Sequence, residues 1–476
     1  MRLRNTLAAL LIFAGLAAFI YHYEYRGEAG REEAKRSEER ALAFQTDRVK
    51  GIRIERKDGE PVELKREAGR WRLDRPFSTR ADADKVASIL STLEFLRIEQ
   101  TLDNVTEQER QDFNLAEPSA RVVLQVAPED PNGALEEKVL LLGDKAPLGS
   151  HHYAARPGSA EVMIVSGGAD SILSHDAASL RYKKVVGIDT WKVARFRIEK
   201  GGDVLGLQRE GDAWRLEAPI SFPADASKVQ GLWYDIQSAE AQSFESEAPS
   251  SSDLERLGLA RPALTLVVEA TEGAEPVRVA FGAPPGHDPV YARRSDMAAV
   301  MAVDRAVFEK LEQAAGEVEG FRDARVAPVD RYRLDRIELA AQGSETLTLE
   351  KDDESRWRNG GGEGGEVPSE RVNALLDAVE ELRATGFVDS PEPGAAGDPA
   401  LRLTLREKTE EEQTTVTASL QPASGAGGAP RRFVSSAAAS VYLVPPEKVA
   451  SLEEAIRALS TPAEPAAGGA GSEAVP

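Results

Sequence analysis

Two adjacent histidines, His151 and His152, are the residues whose types and spacing come closest to a chemical site. A zinc site in a protein needs three or four ligands, and Asp144 is the nearest residue that could join the pair. Neighbouring side chains of a strand point to opposite faces of a sheet, so the two rings are poorly placed to hold one ion. We expect a loop or strand-edge role for both histidines, with no metal and no other cofactor.

Acidic side chains offer a second kind of chemistry, because the sequence contains 80 aspartates and glutamates. Acidic runs at 352–354 and 410–412 could supply oxygen ligands, but neither has the ligand and glycine spacing of a calcium-binding loop. Nothing in the sequence selects a carboxylate pair for glycoside cleavage. Both runs are therefore interpreted as solvated turns.

Nucleophilic and phosphate-binding motifs are missing from the sequence. It has no cysteine, which excludes disulfides, thiolate metal ligands, a cysteine nucleophile and a lipid-modified N-terminal cysteine. It also has no Walker A loop, no nucleophile elbow and no dinucleotide-binding glycine run between a strand and a helix. We therefore predict that the protein is not an enzyme.

An internal repeat defines the elements that would position any site. Three tryptophans follow one another at intervals of 143 residues, and similar residues surround each of them. Other residue types keep the same interval, which a chance spacing of tryptophans would not explain. The repeat markers are Trp71, Trp214, Trp357, Pro76, Pro219, Val86, Val229 and Val372.

Each copy is predicted to contain strands and helices in one order. A hairpin with alternating apolar residues leads into the strand of the marker tryptophan, and a helix with one apolar face follows. Asp82 and Asp225 are placed to cap the first two of these helices. A second group of strands contains a Tyr-x-x-Arg sequence, at 153–156 and 291–294 but not in the third copy, and a short helix ends each copy.

The marker tryptophans allow two interpretations. Exposed tryptophans could stack on sugar rings, whereas buried ones would belong to the core under each helix. Because they recur at one point of the module, just before the helix, we interpret them as core residues.

Composition indicates several folded domains with an acidic surface. A chain of 476 residues, 41% of them hydrophobic, is long enough for about three domains. Its net charge of −21 repels a phosphate backbone, so nucleic acid is not an expected partner.

The N-terminus is predicted to be a membrane anchor. Residues 7–25 are mostly apolar and, at roughly 1.5 Å per residue, about as long as the hydrocarbon core is thick. A cleavable signal peptide is the competing interpretation, but no small-residue cleavage site follows. The anchor residues are Leu7, Leu10, Leu11, Phe13, Leu16, Phe19, Ile20 and Tyr21.

The predicted fold class is α+β, with one N-terminal transmembrane helix followed by three diverged copies of a strand-rich module with packed helices. Residues 1–6 are expected to form a cytoplasmic tail, 7–25 the anchor and 26–45 a charged helical stalk. The modules are expected at 46–185, 186–320 and 325–460, the third being degenerate, with a disordered tail at 461–476. Arg2 and Arg4 favour a single-pass protein of the cytoplasmic (inner) membrane, with most of the chain in the periplasm or otherwise outside the cytoplasm.

The repeated unit resembles the domain of unknown function 4340 family. The resemblance rests on the Trp-x-Leu strand, the following proline, the Ala-Asp-x-x-x-Val helix start, and the Leu-x-x-Pro and Tyr-x-x-Arg strands, and it covers roughly residues 45–460. It implies an envelope protein that is often encoded beside gliding-motility-type ABC transporter components and has no established catalysis.

The function expected from this resemblance is that of a non-catalytic, membrane-anchored extracytoplasmic adaptor or auxiliary subunit of an envelope complex. Its partners would be the bilayer, through the N-terminal helix, and a membrane protein such as the subunits of an ABC transporter. The alternative is a periplasmic binding module for an envelope polymer or a small ligand.

Overall fold

The computed structural model describes residues 39–460 except 129, 131–132, 148, 272, 274, 285–287, 361–364, 390–397, 410–412 and 424–427. The predicted anchor, most of the predicted stalk, the acidic run at 410–412 and the predicted tail lie outside the described residues. Within the described ranges, no helix combines the length and the apolar character that crossing a membrane requires.

A nine-stranded antiparallel sheet forms the body of the first copy. Its strands are β1 (Val49–Arg56), β2 (Val62–Glu67), β3 (Arg70–Arg75), β4 (Thr79–Arg80), β5 (Ile98–Leu102), β6 (Ala120–Val126), β7 (Glu136–Lys145), β8 (His152–Ala155) and β9 (Val162–Val165). They lie in the order β4-β3-β2-β1-β6-β7-β8-β9-β5. The helices of this copy are α1 (Ala83–Glu94), α2 (Glu107–Asp112) and α3 (Ala169–Ser174).

The second copy repeats this arrangement strand for strand, in the order β13-β12-β11-β10-β15-β16-β17-β18-β14. Its strands are β10 (Val193–Lys200), β11 (Asp203–Glu210), β12 (Ala213–Ala218), β13 (Phe222–Pro223), β14 (Ala241–Ser246), β15 (Leu264–Ala270), β16 (Val277–Gly282), β17 (Val290–Arg294) and β18 (Val300–Val303). Its helices are α4 (Ala226–Ser238), α5 (Ser251–Arg256) and α6 (Arg305–Gly316).

The third copy has an eight-stranded sheet, in the order β21-β20-β19-β23-β24-β25-β26-β22. Its strands are β19 (Leu334–Ala341), β20 (Leu347–Lys351), β21 (Trp357–Asn359), β22 (Gly386–Asp389), β23 (Leu401–Lys408), β24 (Gln413–Leu420), β25 (Arg431–Ser435) and β26 (Ala438–Val444). Its helices are α7 (Ser369–Glu380) and α8 (Pro446–Ser460). Three sheets with eight helices in the described residues confirm the α+β class and the internal repeat.

The helix after each tryptophan strand follows from a one-sided apolar pattern. In α1, Val86, Ile89, Leu90 and Leu93 are buried at intervals of three or four residues. The predicted caps are confirmed, because Asp82 accepts backbone hydrogen bonds at the start of α1 and Asp225 does so at the start of α4. In the third copy Pro368 precedes α7, and no side-chain cap is formed.

The strand after this helix lies at the far edge of each sheet, which the sequence pattern does not indicate. β5, β14 and β22 pair antiparallel with β9, β18 and β26, the last strands of their copies. The third copy has no Tyr-x-x-Arg sequence, but it retains the corresponding strand as β25. Ser435 lies there at the place of Arg294, since Ser435 pairs with Ala418 as Arg294 pairs with Val279.

The chain divides after Lys183 into two compact units. In the first unit a buried cluster around Trp71 lies between the sheet and its helices. In the second unit one buried cluster contains both Trp214 and Trp357, so the second and third copies share a core.

A charged contact joins the second and third copies within that unit. Arg322, whose side chain is 5% exposed, donates from Nη1 and Nη2 to the two carboxylate oxygens of Asp389, both at 2.8 Å. Arg322 follows α6, and its backbone forms a β-bridge with Ala224 of the second copy. Asp389 is the last residue of β22 in the third copy. The guanidinium also lies over the rings of Phe222 and Phe387.

Candidate functional site

His152 is the buried member of the histidine pair. It is the first residue of β8, and 3% of its surface is exposed. Its Nδ1 lies 3.2 Å from the carbonyl oxygen of Gly143, and its Nε2 lies 3.1 Å from Oδ1 of Asp170. Both partners can only accept hydrogen bonds, so the ring satisfies both when both of its nitrogens carry protons.

Asp170 of α3 connects this histidine to a lysine. Its Oδ2 lies 3.0 Å from Nζ of Lys145 on β7. The hydrogen bond from Lys145, with a further bond from His152, lowers the pKa of the Asp170 carboxyl, although desolvation acts in the opposite direction. The cluster therefore fastens α3 to β7 and β8, as expected of a structural contact.

Asp144, the third ligand considered for a metal, is not part of this cluster. It accepts hydrogen bonds from Nδ2 of Asn114 at 2.7 Å and from Oγ of Ser119 at 3.3 Å. Among the described residues, no group of three or more histidine, cysteine, aspartate or glutamate side chains could hold a metal ion.

The acidic run at 352–354 lies in a turn after β20. Asp352 accepts a hydrogen bond from Nε of Arg358 at 2.8 Å and others from backbone N–H groups. These bonds, led by that of Arg358, hold the pKa of the Asp352 carboxyl well below its usual range. The negative charge of Asp352 is therefore compensated by hydrogen bonds within the turn.

The repeat markers lie inside the modules. The tryptophans Trp71, Trp214 and Trp357 are 8%, 8% and 6% exposed, and the valines Val86, Val229 and Val372 are fully buried. Pro76 and Pro219 both follow cis peptide bonds at the end of the tryptophan strand.

The arginine of each Tyr-x-x-Arg sequence binds the segment that enters its own module. Arg156 donates from Nε to the carbonyl oxygen of Ala41 and from Nη2 to that of Arg40, both at 3.1 Å. Arg294 donates from Nη1 to the corresponding carbonyl oxygen of Lys184, also at 3.1 Å. A charged donor makes these bonds stronger than neutral ones, so each arginine holds the entering chain against its sheet.

The two arginines differ in exposure and in charge compensation. Arg294 is 2% exposed, and its Nε and Nη2 donate to the two carboxylate oxygens of Asp296 at 2.8 Å. Gly158 stands at the place of Asp296 in the first copy. Arg156 is exposed, and within the described part of the chain its guanidinium donates to backbone carbonyls and not to a carboxylate. The first copy therefore presents an exposed cation where the second has a buried arginine paired with an exposed aspartate.

A backbone edge next to Arg156 is free of any strand partner among the residues that the structure describes. β7 has ten residues, but β8 has only four, and the pairing between them ends at Leu141 and Ala155. Residues 136–140 pair with β6 on one side and extend beyond β8 on the other.

The second copy closes the equivalent edge with a serine. Ser295 donates its backbone N–H to the carbonyl oxygen of Arg278 at 2.8 Å, and its Oγ accepts from the N–H of Arg278 at 3.1 Å. The strand registers place Val139 at the position of Arg278 and Pro157 at that of Ser295. Proline has neither an N–H nor a hydroxyl, so it cannot close the edge of β7 in this way.

A groove of about 590 Å³ lies along this edge. The apolar and charged residues that line it are Leu42, Ala43, Glu137, Lys138, Val139, Arg156 and Pro157. Leu135, just before β7, is 49% exposed, so an aliphatic side chain lies beside the free edge.

Charges in the groove are only partly compensated. Nζ of Lys138 lies 3.4 Å from Oε1 of Glu136, and Oε1 of Glu137 lies 4.0 Å from Nη2 of Arg53. Arg53 also pairs with Glu55 and Glu63, whereas Arg156 has no carboxylate partner among the described residues, so a positive charge remains at Arg156 on a chain with a net charge of −21.

Sequence reasoning missed the groove and the partner of His152. Asp170 follows a glycine pair and carries no motif that would relate it to a histidine eighteen residues earlier. The difference between Pro157 and Ser295 was readable from the aligned Tyr-x-x-Arg sequences, because proline at a strand edge removes a donor.

The fold and these contacts define a protein built from repeated α+β modules. The family described as Domain of unknown function (DUF4340) matches residues 71–215 and 214–403. The chain therefore belongs to this family. The two matches start at Trp71 and Trp214, so each begins at the tryptophan strand of one copy and runs into the next.

Other comparisons are less informative. A search of the curated proteins gives no match. A DNA polymerase sliding clamp from Pseudomonas aeruginosa aligns at 10% identity and a TM-score of 0.15, over 87% of this chain and 95% of that one. DNA polymerase III subunit beta from Borrelia burgdorferi aligns at 7% identity and a TM-score of 0.13, over 87% and 96% of the two chains. Scores this low do not support a shared fold.

Proposed function

We propose that the protein is a non-catalytic, membrane-anchored extracytoplasmic adaptor of an envelope complex, an ABC transporter of the gliding-motility type. The observation that carries this proposal is the groove beside β7, where backbone groups, aliphatic side chains and the exposed guanidinium of Arg156 lie together. Such a surface suits another polypeptide, because a strand edge can pair with a further strand.

The architecture of the second unit supports the same proposal. The second and third copies share one core and are joined by the ion pair of Arg322 and Asp389. Two modules fixed in this way would form a continuous support for partner surfaces. The apolar residues 7–25 would anchor the chain in the inner membrane, which would keep it near membrane-protein partners.

Co-purification tests the adaptor function. The full chain carries a C-terminal tag, membranes are solubilised in mild detergent, and the proteins that remain bound are identified. Recovery of ABC transporter subunits in stoichiometric amount is the expected result. Recovery of the protein alone, with residues 1–25 still present by mass spectrometry, would reject a stable complex.

A second candidate is binding of an envelope polymer through exposed aromatic rings. Trp191 and Tyr332 lie two residues before the first strands of the second and third copies, and they are 65% and 87% exposed. Tyr234 on α4 is 71% exposed. Exposed rings of this kind can stack on sugars.

This alternative predicts sedimentation of the protein with isolated cell wall. The Trp191→Ala/Tyr332→Ala variant should then remain in the supernatant. Sedimentation that is equal for the variant and the unchanged protein would exclude these rings as the contact.

A further inference from the structure

We propose that the groove beside β7 binds an extended acidic segment of a partner protein, which joins the first sheet as an additional strand along Glu137 and Val139. The proposal rests on the adaptor function and assigns the contact to one edge of one module. The added strand would lie beside β7 in line with β8, at the position in the sheet that β8 does not occupy beyond Ala155.

The backbone supplies the first part of the argument. In the second copy, Arg278 exchanges two hydrogen bonds with Ser295, so its N–H and carbonyl point to that edge of the sheet. Val139 takes the position of Arg278, and the two-residue period of a strand turns the groups of Glu137 the same way. Pro157 leaves these groups free for another chain.

The size of the groove suits a short strand. Residues 136–140 of β7 extend about 16 Å at the usual rise of about 3.3 Å per residue. A partner segment of about four or five residues would cover this length. Main-chain hydrogen bonds would provide affinity, and alternate side chains would meet the walls of the groove, as in other cases of strand addition.

Charge and apolar character define the segment. Arg156 favours a carboxylate, whereas Lys138 and Glu137 already lie near Glu136 and Arg53. Leu135 and Val139 offer aliphatic surface to the same segment. We therefore assign the site to a segment in which acidic and β-branched residues alternate.

A second copy of this chain is a less suitable occupant. Each molecule of the protein has a net charge of −21, so two whole molecules repel one another.

Binding of defined peptides to the full-length protein in detergent tests the proposal. The probes are a short acetylated, fluorescent peptide of alternating valine and glutamate, its valine–lysine counterpart, and the valine–glutamate peptide with a central proline. Fluorescence anisotropy is expected to show saturable binding of the first probe and at least about tenfold weaker binding of the other two, because a lost charged contact or blocked strand costs about 1.4 kcal/mol or more.

The Pro157→Ser variant provides the decisive comparison. Serine restores the N–H and the hydroxyl that close the edge in the second copy, so the variant should stay folded and bind the first probe at least about tenfold more weakly. Pro61→Ser, a proline replacement in the β1–β2 loop, serves as the matched control and should bind normally. Arg156→Gln should weaken binding of the glutamate peptide more than that of the lysine peptide.

Several results would overturn the proposal. Equal binding of the proline-interrupted probe, or unchanged binding by Pro157→Ser, would exclude strand addition. Dimers of the unchanged protein in sedimentation, with monomers for Pro157→Ser, would assign the edge to a second copy. If membrane partners co-purify equally with Pro157→Ser, the adaptor function stands and the groove is not its contact. If the peptide binds as expected but no partner co-purifies, the groove stands and the stable complex does not.

Discussion

Nε2 of His152 and Oδ1 of Asp170 lie 3.1 Å apart, although the histidine is almost fully buried and the side chain of the aspartate is 43% exposed. The other ring nitrogen faces the carbonyl oxygen of Gly143. The contact therefore joins α3 to the sheet through a buried ring with a hydrogen-bond partner at each nitrogen. Replacing Asp170 should therefore show how much this contact between α3 and β8 stabilises the fold.

Asp170→Asn should lower the free energy of unfolding of the first unit by about 1 kcal/mol, because the hydrogen bond from the buried ring of His152 loses its charged acceptor while the exposed pair with Lys145 is screened by solvent. The pKa of Asp170 is lower in the folded than in the unfolded state. Its contribution is therefore complete above the unfolded pKa of about 3.9 and is lost as the pH falls through the folded pKa. Thermal melting of both proteins between about pH 2.5 and pH 7 measures this difference.

Asp112→Asn is a suitable control, because it makes the same chemical change at an aspartate outside this cluster, at the end of the short helix α2. A difference between Asp170→Asn and the unchanged protein that stays constant down to the lowest pH would show that the charge of Asp170 does not stabilise the fold.

Arg294→Gln and Arg156→Gln form a matched pair for the arginines that hold the entering segments. Arg294 is buried although the side chain of Asp296 is 43% exposed, so its loss leaves mainly the backbone carbonyls without their charged donor and should cost about 2–3 kcal/mol. Arg156 is exposed, and water can replace it, so its loss should cost about 1 kcal/mol or less. Urea unfolding monitored by tryptophan fluorescence compares the two. Equal costs would contradict the difference in burial.

Much of the fold was predictable because local patterns determine it. The spacing of Trp71 and Trp214 indicated the repeat, and Asp82 and Asp225 indicated where two helices begin. Such features depend on neighbours within one element. The α+β class and the family followed from them and are confirmed.

The remaining features depend on residues that are distant in sequence. The pairing of β5 with β9 joins segments about sixty residues apart, and no local signal selects that edge. Asp170 reaches His152 only because the fold brings α3 to the start of β8. The groove exists because β7 is longer than β8, and strand length is poorly determined by alternation alone.

The ion pair between Arg322 and Asp389 should couple the second and third copies. The hydrogen bonds of Arg322 hold the pKa of Asp389 below its usual value. In a double-mutant cycle with Arg322→Met and Asp389→Asn, each single change should destabilise the unit, and the coupling free energy should be about 1–3 kcal/mol. Denaturant unfolding of the four proteins at neutral pH gives this value. Additive effects would show that the geometry contributes no net stability.

The shared core predicts that the second and third copies unfold together. Leu375, on α7 of the third copy, is fully buried in the cluster that also contains Trp214 of the second. Leu375→Ala keeps a good helix former but leaves a cavity, at a cost of about 2–5 kcal/mol. If the core is one cooperative unit, amide hydrogen exchange should accelerate in β10–β18 as well as in β19–β26.

Asn373→Ala, on the exposed face of the same helix, is the matched control and should leave exchange in both sheets unchanged. Acceleration confined to β19–β26 in Leu375→Ala would show that the third copy opens by itself, despite its continuous apolar contact with the second. That result would also weaken the proposed adaptor, because a third module that opens alone could not hold a partner surface in a fixed position relative to the second.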